Sequence, residues 1–237
     1  MAEVKVCLVT GATGPIGQNI VAELVAANHK VIALGDPSDA FSPDILMKRQ
    51  IKVTTALPVK AALFKKNDVQ FCFGDVSDIS FLASIFSTAD KNDVKIEYVC
   101  HLAANKAIQK SAPSAYHPEF SATANVLEVV RAYYQAHKES FKCFFYAAEN
   151  NSKSEKIETM LAKLKEKDSL PSVVFKDDNA PVGAGYKGQT SLAKLYRVLT
   201  PFGISNTWNA EADDDNYTRR IIRAIRKMME NSENTSI

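Results

Sequence analysis

Three glycines are the residues of this chain best suited to chemistry. Gly11, Gly14 and Gly17 stand in the run Thr10-Gly11-Ala12-Thr13-Gly14-Pro15-Ile16-Gly17, spaced G-x-x-G-x-x-G. The apolar run Val4 to Val9 precedes them, and Ile16, Ile20, Val21, Leu24 and Val25 follow at helical spacing. The triad therefore falls where a strand hands over to a helix. In that place each glycine has a task. Gly11 permits a tight turn, Gly14 lets backbone approach a diphosphate with no Cβ in the way, and Gly17 lets the helix pack closely on the strand. The first N–H groups of the helix then meet the phosphates, where the helix dipole favours negative charge. Thr13, Pro15 and Ile16 share this turn and are expected to contact the same ligand. Asp36, at the end of the second strand, stands where the ribose of an adenine dinucleotide is read. Its alternative role is a loop cap ahead of Pro37. An acid there favours NAD over NADP, whose 2′-phosphate it would repel.

These residues need a frame to hold them. After the first strand and helix comes the apolar run Lys30 to Leu34, which completes a βαβ unit. Further strand-like runs occur at Val69 to Phe73, Ile96 to Cys100, Lys142 to Tyr146 and Val198 to Ile204. Helical stretches fall between them at Ile79 to Phe86, Ala115 to His137 and Ser191 to Val198. Such alternation predicts an α/β fold, a Rossmann-type doubly wound parallel sheet of six or seven strands covered on both faces. Residues 36 to 68 contain Pro37, Pro43 and Pro58, so a helix there should be short or broken. Ser154 to Lys167 reads as a charged helix and Leu170 to Gly185 as a long loop. Beyond Asp215, Ile221, Ile222, Ile225, Met228 and Met229 line one face of an amphipathic helix, with Arg219, Arg223, Arg226 and Lys227 on the other. No internal repeat or linker is visible. The expected organisation is one NAD(P)-binding Rossmann domain over residues 1–231, without a full substrate domain, and a disordered tail at 232–237.

The composition of the 237 residues, 46% hydrophobic and 24% charged, is that of a folded globular chain and excludes collagen, coiled coil and disorder. A net charge of +2 offers no global field for nucleic acid. The four cysteines, Cys7, Cys72, Cys100 and Cys143, sit in or beside apolar runs without metal-ligand spacing, so they read as buried reduced thiols and no metal is expected. The N-terminal apolar segment is too short for a signal peptide, and no membrane span is seen. A cytoplasmic protein is the expectation.

The triad, the turn Gly74-Asp75-Val76-Ser77-Asp78, and the stretch Val99-Cys100-His101-Leu102-Ala103-Ala104 resemble the extended short-chain dehydrogenases/reductases, the NAD-dependent epimerase/dehydratases. Continued through Asn105, Lys106, Ala107 and Ile108, with Ser111 and Tyr116 downstream, the pattern is similar to UDP-glucose 4-epimerases in particular. The likeness runs from residue 4 to about 150 and more loosely from 170 to 205. It implies a bound NAD(P), with Asp75 and Val76 flanking the adenine, Ala103 and Ala104 lining the pyrophosphate, and Lys106 reaching the ribose or phosphate. It also implies a small-molecule or nucleotide-sugar ligand, and a homodimer formed by a four-helix contact through Ala115 to His137 and Ser191 to Val198. The residues leave other roles open: Asp75 as N-cap of the helix near Ile79, Lys106 as a solvated surface lysine.

The same resemblance exposes departures. The family places a lysine four residues after its catalytic tyrosine, and a serine or threonine after the fifth strand. Here Tyr186 is followed at that distance by Thr190, Tyr196 by Thr200, and the strand ends Phe145-Tyr146-Ala147-Ala148-Glu149-Asn150. A phenol of pKa about 10 is roughly one part in a thousand ionised at pH 7, so a missing lysine forfeits about three decades of active base. A lost donor to the reacting oxygen removes about 10²–10³ more. Glu119 and Ala122 stand where the family has asparagine and glycine, although Thr123 is kept, and Asp36 falls one place later than usual. The expectation is a sensor-like or weakly active member of the family. The alternative is a small oxidoreductase or epimerase using Tyr186 as acid and base, with Lys187 or Lys194 as helper and Glu149 or Asn150 in place of the hydroxyl. A third reading makes Arg219, Arg220, Arg223 and Arg226 an anion site, against which stands a plainly solvated helix face.

Overall fold

The computed structural model describes residues 4–37, 41–57, 59–60, 64–65, 67–102, 118–147, 152–175 and 210–234. Seven parallel strands form one sheet: β1 (Val6–Thr10), β2 (Lys30–Gly35), β3 (Lys52–Thr55), β4 (Asp68–Phe73), β5 (Tyr98–His101), β6 (Cys143–Ala147) and β7 (Ser172–Phe175). Among the described residues six helices accompany them: α1 (Pro15–Ala26), α2 (Asp44–Lys48), α3 (Ile79–Lys91), α4 (Pro118–Ala136), α5 (Ser152–Asp168) and α6 (Ala210–Asn234). The strand order is β3-β4-β2-β1-β5-β6-β7. From β1 the chain lays β2 beside it, places β3 at the edge and β4 between β2 and β3, then crosses back to lay β5 on the other side of β1. That reversal opens a crevice at the carboxyl ends of β1 and β5, the usual ligand position in doubly wound sheets.

Both faces of the sheet are dry. Leu8, Ile32, Leu34, Val99 and Phe144 pack against α3, α4 and α5, through Leu82, Ile85, Val126, Val130, Ile157 and Leu161. On the other face Cys7, Val9, Val31, Ala33, Phe71 and Phe145 meet α1, α2 and α6, through Ile20, Leu24, Leu46, Ile221 and Ile225. Strands buried on both sides read as continuous apolar runs, which is why β1, β2, β4, β5 and β6 stood out in the sequence. All four cysteines are free and buried. Desolvation pushes the Cys72 and Cys143 thiols up to about 12, far from a reactive thiolate.

Two strands depart from the sequence reading. Residues 170 to 185, read as a loop, contain β7, which pairs with β6 from Phe144↔Ser172 to Ala147↔Phe175. Residues 36 to 68 hold the expected short helix, α2, and also the unexpected edge strand β3, paired with β4 from Lys52↔Asp68 to Thr55↔Phe71. Both are four-residue strands, and Pro171 and Pro58 beside them mask the signal. The strand expected at Val198 to Ile204 and the helix at Ser191 to Val198 lie outside the described residues. Among the described residues four helices close on a positive φ without glycine, α5 through Ser169 at 57° and the other three in a common way. Asn28, Gln50 and Asp93 take positive φ of 66°, 56° and 56° one residue past the helix cap. After α1, the N–H of His29 reaches Leu24 O at 3.0 Å and that of Asn28 reaches Val25 O at 2.9 Å, a Schellman closure.

Candidate functional site

The start of α1 is shaped chiefly by backbone. Gly11 has φ of 68°, a left-handed conformation that a side chain would strain. The turn it makes is held on the sheet by Ala12 N–H donating to Leu34 O at 3.1 Å and Gly14 N–H donating to Gly11 O at 3.3 Å. Gly17 lies so close that a Cβ there would stand 2.1 Å from Gly11 O and 2.7 Å from Ala12 Cα. Gly35 is pinched likewise, its would-be Cβ 2.5 Å from Thr13 Cγ2. Helix α1 thus begins flush against the ends of β1 and β2. Gly14 is its N-cap and Pro15 its first residue, no side chain caps it, and its first turn carries no acid. The first-turn N–H groups of an α-helix have no intrahelical acceptors, so this start presents backbone donors and a positive dipole end to the crevice.

Beside it, Gly74 N–H donates to Gly35 O at 2.9 Å, which sets the end of β4 against the end of β2. The following turn is self-supporting. Asp75 is exposed and its carboxylate accepts from Ser77 N–H at 2.7 Å. The N-cap of α3 is Asp78, which accepts from Ser80 N–H at 2.8 Å and Phe81 N–H at 3.3 Å, so Asp75 does not hold the capping role left open for it. Val76 is half-buried against the core, and Asn125 of α4 donates to Ser77 O at 2.7 Å. Asp36 is half-buried one residue past the end of β2. The structure therefore brings Gly11, Thr13, Gly14, Pro15, Ile16, Gly17, Asp36, Asp75 and Val76 to one edge of the sheet. Ala103, Ala104, Lys106 and Tyr186 lie outside the described residues, as do Glu149, Asn150, Lys187 and Lys194.

Across the crevice stands a group that the sequence reading quoted without giving it a role. His101 ends β5, in register with Thr10 on one side and Tyr146 on the other. Its Nδ1 is 2.7 Å from Thr10 Oγ1 and its Nε2 is 3.0 Å from Thr123 Oγ1, while Leu102 N–H donates to Thr10 Oγ1 at 3.2 Å. Phe144 and Tyr146 stack on the ring at 6.1 and 5.9 Å. Burial pulls the imidazole down from 6.5 to about 4, so the ring is neutral at pH 7, with one nitrogen donating and the other accepting. Thr10 and Thr123 thereby fix the ends of β1, β5 and α4 to each other directly behind the glycine turn. The detectable signal was a polar pair, Thr10 and His101, at the carboxyl ends of otherwise apolar strands.

The GDP-mannose 4,6 dehydratase family model matches residues 8–150, more than half of the chain. The chain belongs to that family. Among curated relatives, UDP-glucuronate 4-epimerase 3 of Arabidopsis thaliana is 29% identical over 128 residues, a stretch that is 53% of this chain and 26% of that protein. The chain thus spans about a quarter of the length of the curated relatives it matches. Among solved structures, a short-chain dehydrogenase/reductase of Saccharomyces cerevisiae superposes with a TM-score of 0.52 at 15% identity, covering 72% of this chain and 69% of that one. One of Mycobacterium ulcerans gives 0.52 at 15%, covering 74% and 70%. These likenesses share the α/β fold of the dehydratase family. Among the described residues no helix is long and apolar enough to cross a membrane.

Proposed function

We propose that the crevice between the ends of β1 and β5 binds an adenine dinucleotide, and that the protein is a sensor-like or weakly active epimerase/dehydratase homologue. The supporting observation is the start of α1, uncapped and pressed by Gly17 against the left-handed Gly11, so that backbone alone faces the ligand. On this reading the amides of residues 11–17 grip the diphosphate and Asp36 reads the ribose, which favours NAD over NADP. Asp75 and Val76 flank the adenine, Ala103 and Ala104 line the pyrophosphate, and Lys106 reaches the ribose or phosphate. The cofactor, when bound, supplies a hydride acceptor and donor. What the chain brings to it is thin: Ala147 at the end of β6 with Ala148 next in sequence, and no lysine four residues past Tyr186. Its neutral His101 holds the crevice in shape but is turned to Thr10 and Thr123.

Calorimetry with NAD, NADP and ADP tests binding, with affinity in the micromolar range or tighter expected for NAD. No heat with any of the three would refute the proposal. UDP-sugars are the substrates to try, because the curated relatives are named for a UDP-sugar reaction. Rapid reduction of bound NAD by one of them would replace the sensor reading by the enzyme reading, with Tyr186→Phe as the check on the acid and base.

A further inference from the structure

Helix α1 carries one buried amide in its opening turns. Gln18 is 6% exposed, and its Nε2 donates to Thr13 O at 3.0 Å and to Ser42 O at 3.0 Å. The first acceptor belongs to the glycine turn. The second belongs to the segment 41–43, which runs into α2 and lies between it and the strand end that carries Asp36. With two carbonyls in front of it, the amide has only one sensible orientation, since a flip would press Oε1 against both. Oε1, turned inward, has no partner among the described residues. A buried acceptor without a partner is destabilising, so this geometry is held by what the N–H groups achieve. The segment is otherwise seated on aromatic contacts, Phe41 lying 4.7 Å from Phe71 and 5.6 Å from Phe73 between ring centroids, and on Met47 N–H donating to Pro43 O at 2.8 Å.

We infer that Gln18 is a positioning residue that couples the glycine turn to the segment 41–43. A diphosphate on the turn then steadies the wall beside Asp36 and tightens the hold on the adenosine half. This rests on the dinucleotide reading above. It makes the two halves of the site cooperative through a single side chain: whatever fixes the Thr13 carbonyl fixes one end of the bridge, and Ser42 is held by the other.

Amide hydrogen exchange and calorimetry on the full chain test it, with inorganic pyrophosphate and ADP as probes. The variants are Gln18→Met, of similar size without donors, and Gln18→Glu, of the same shape without N–H groups. Without ligand, both variants should exchange the amides of 42–47 at least threefold faster than wild type, with α1 beyond residue 20 unchanged. Pyrophosphate should slow exchange at 42–47 in wild type but not in the variants, while slowing the amides of 14–18 in all three. ADP affinity should fall about tenfold and pyrophosphate affinity less than twofold, a split that a general loss of stability would not produce. Equal ligand-free exchange at 42–47 in wild type and variants would overturn the bridge. Persisting pyrophosphate protection of 42–47 in both variants would overturn the coupling. Absence of any protection at 14–18 in wild type would instead overturn the dinucleotide reading, and the coupling with it, while the ligand-free arm still decides the bridge.

Discussion

Two strand-to-helix junctions at the carboxyl end of the sheet, with β2 between them, start their helices in opposite ways. At β4–α3 the chain supplies its own anion: the Asp78 carboxylate takes the N–H groups of Ser80 and Phe81, and Asp75 takes that of Ser77. At β1–α1 it supplies none, using a glycine N-cap and a proline where an acid or a serine would serve the helix better. With glycine in place of a capping side chain, the cost is roughly a few tenths of a kcal/mol. The open start of α1 is the arrangement that the proposed dinucleotide site requires, and the capped start of α3 is not.

The largest effect should come from closing the open junction sterically. Gly17→Ala puts a methyl into the backbone of residues 11 and 12, which cannot yield as a side chain would. It should cost about 3 kcal/mol in urea unfolding and lower NAD affinity a hundredfold or more. Wild-type binding by this variant would break the comparison outright.

Much of this was legible in the sequence, and the reason is that glycine is. The chain has nine glycines, and of the five before residue 180, Gly11, Gly14, Gly17 and Gly74 lie at these two junctions and Gly35 at the end of β2 between them. Residues whose role is to be absent announce themselves by type. His101, Thr10 and Thr123 did not, because a histidine between two threonines forms only once β1, β5 and α4 are brought together. Nor did the helix ends at Asn28, Gln50 and Asp93, where positive φ is carried by residues other than glycine. The edge strand β3, with half-buried Val53 and Thr54 between exposed Lys52 and Thr55, shows neither the alternation nor the apolar run that marks a strand.

A second prediction concerns the wall that faces the open junction. His101 is neutral in the fold, its value brought down from 6.5 to about 4 by burial. The unfolded chain binds the proton first, so stability is full above pH 6.5 and falls as pH drops toward 4, by up to roughly 3 kcal/mol. The paired carboxylates Glu23 and Glu128, held below their ordinary values chiefly by hydrogen bonds from Arg49 and Arg131, add their loss only at lower pH. Unfolding free energies of His101→Asn should therefore be nearly flat from pH 6.5 to 5, where wild type slopes. A slope of the same size in both would remove the histidine from the account.

Smaller effects sharpen the comparison by exchanging the two designs. Gly14 already has the extended geometry of an N-cap, φ −72° and ψ 163°. Gly14→Asp should cap α1 and raise stability by a few tenths of a kcal/mol, while its charge lowers NAD and ADP affinity roughly tenfold, or about 1.4 kcal/mol. Asp78→Ala does the reverse at α3. It should cost about 1 kcal/mol of stability and leave dinucleotide affinity within twofold, as read by denaturation and calorimetry on the same samples. If the two substitutions had matching effects on affinity, the junctions would not differ in kind.

Glu23 of α1 pairs with Arg226 of α6, 203 positions later, and Ile20 and Leu24 share a core with Ile225 and Met229 of that helix. Ribosomes add about 5–20 residues per second, so the first helix emerges roughly ten to forty seconds before the one that shelters it. For that interval its apolar outer stripe has no α6 to cover it, and pausing late in translation should lengthen that exposure.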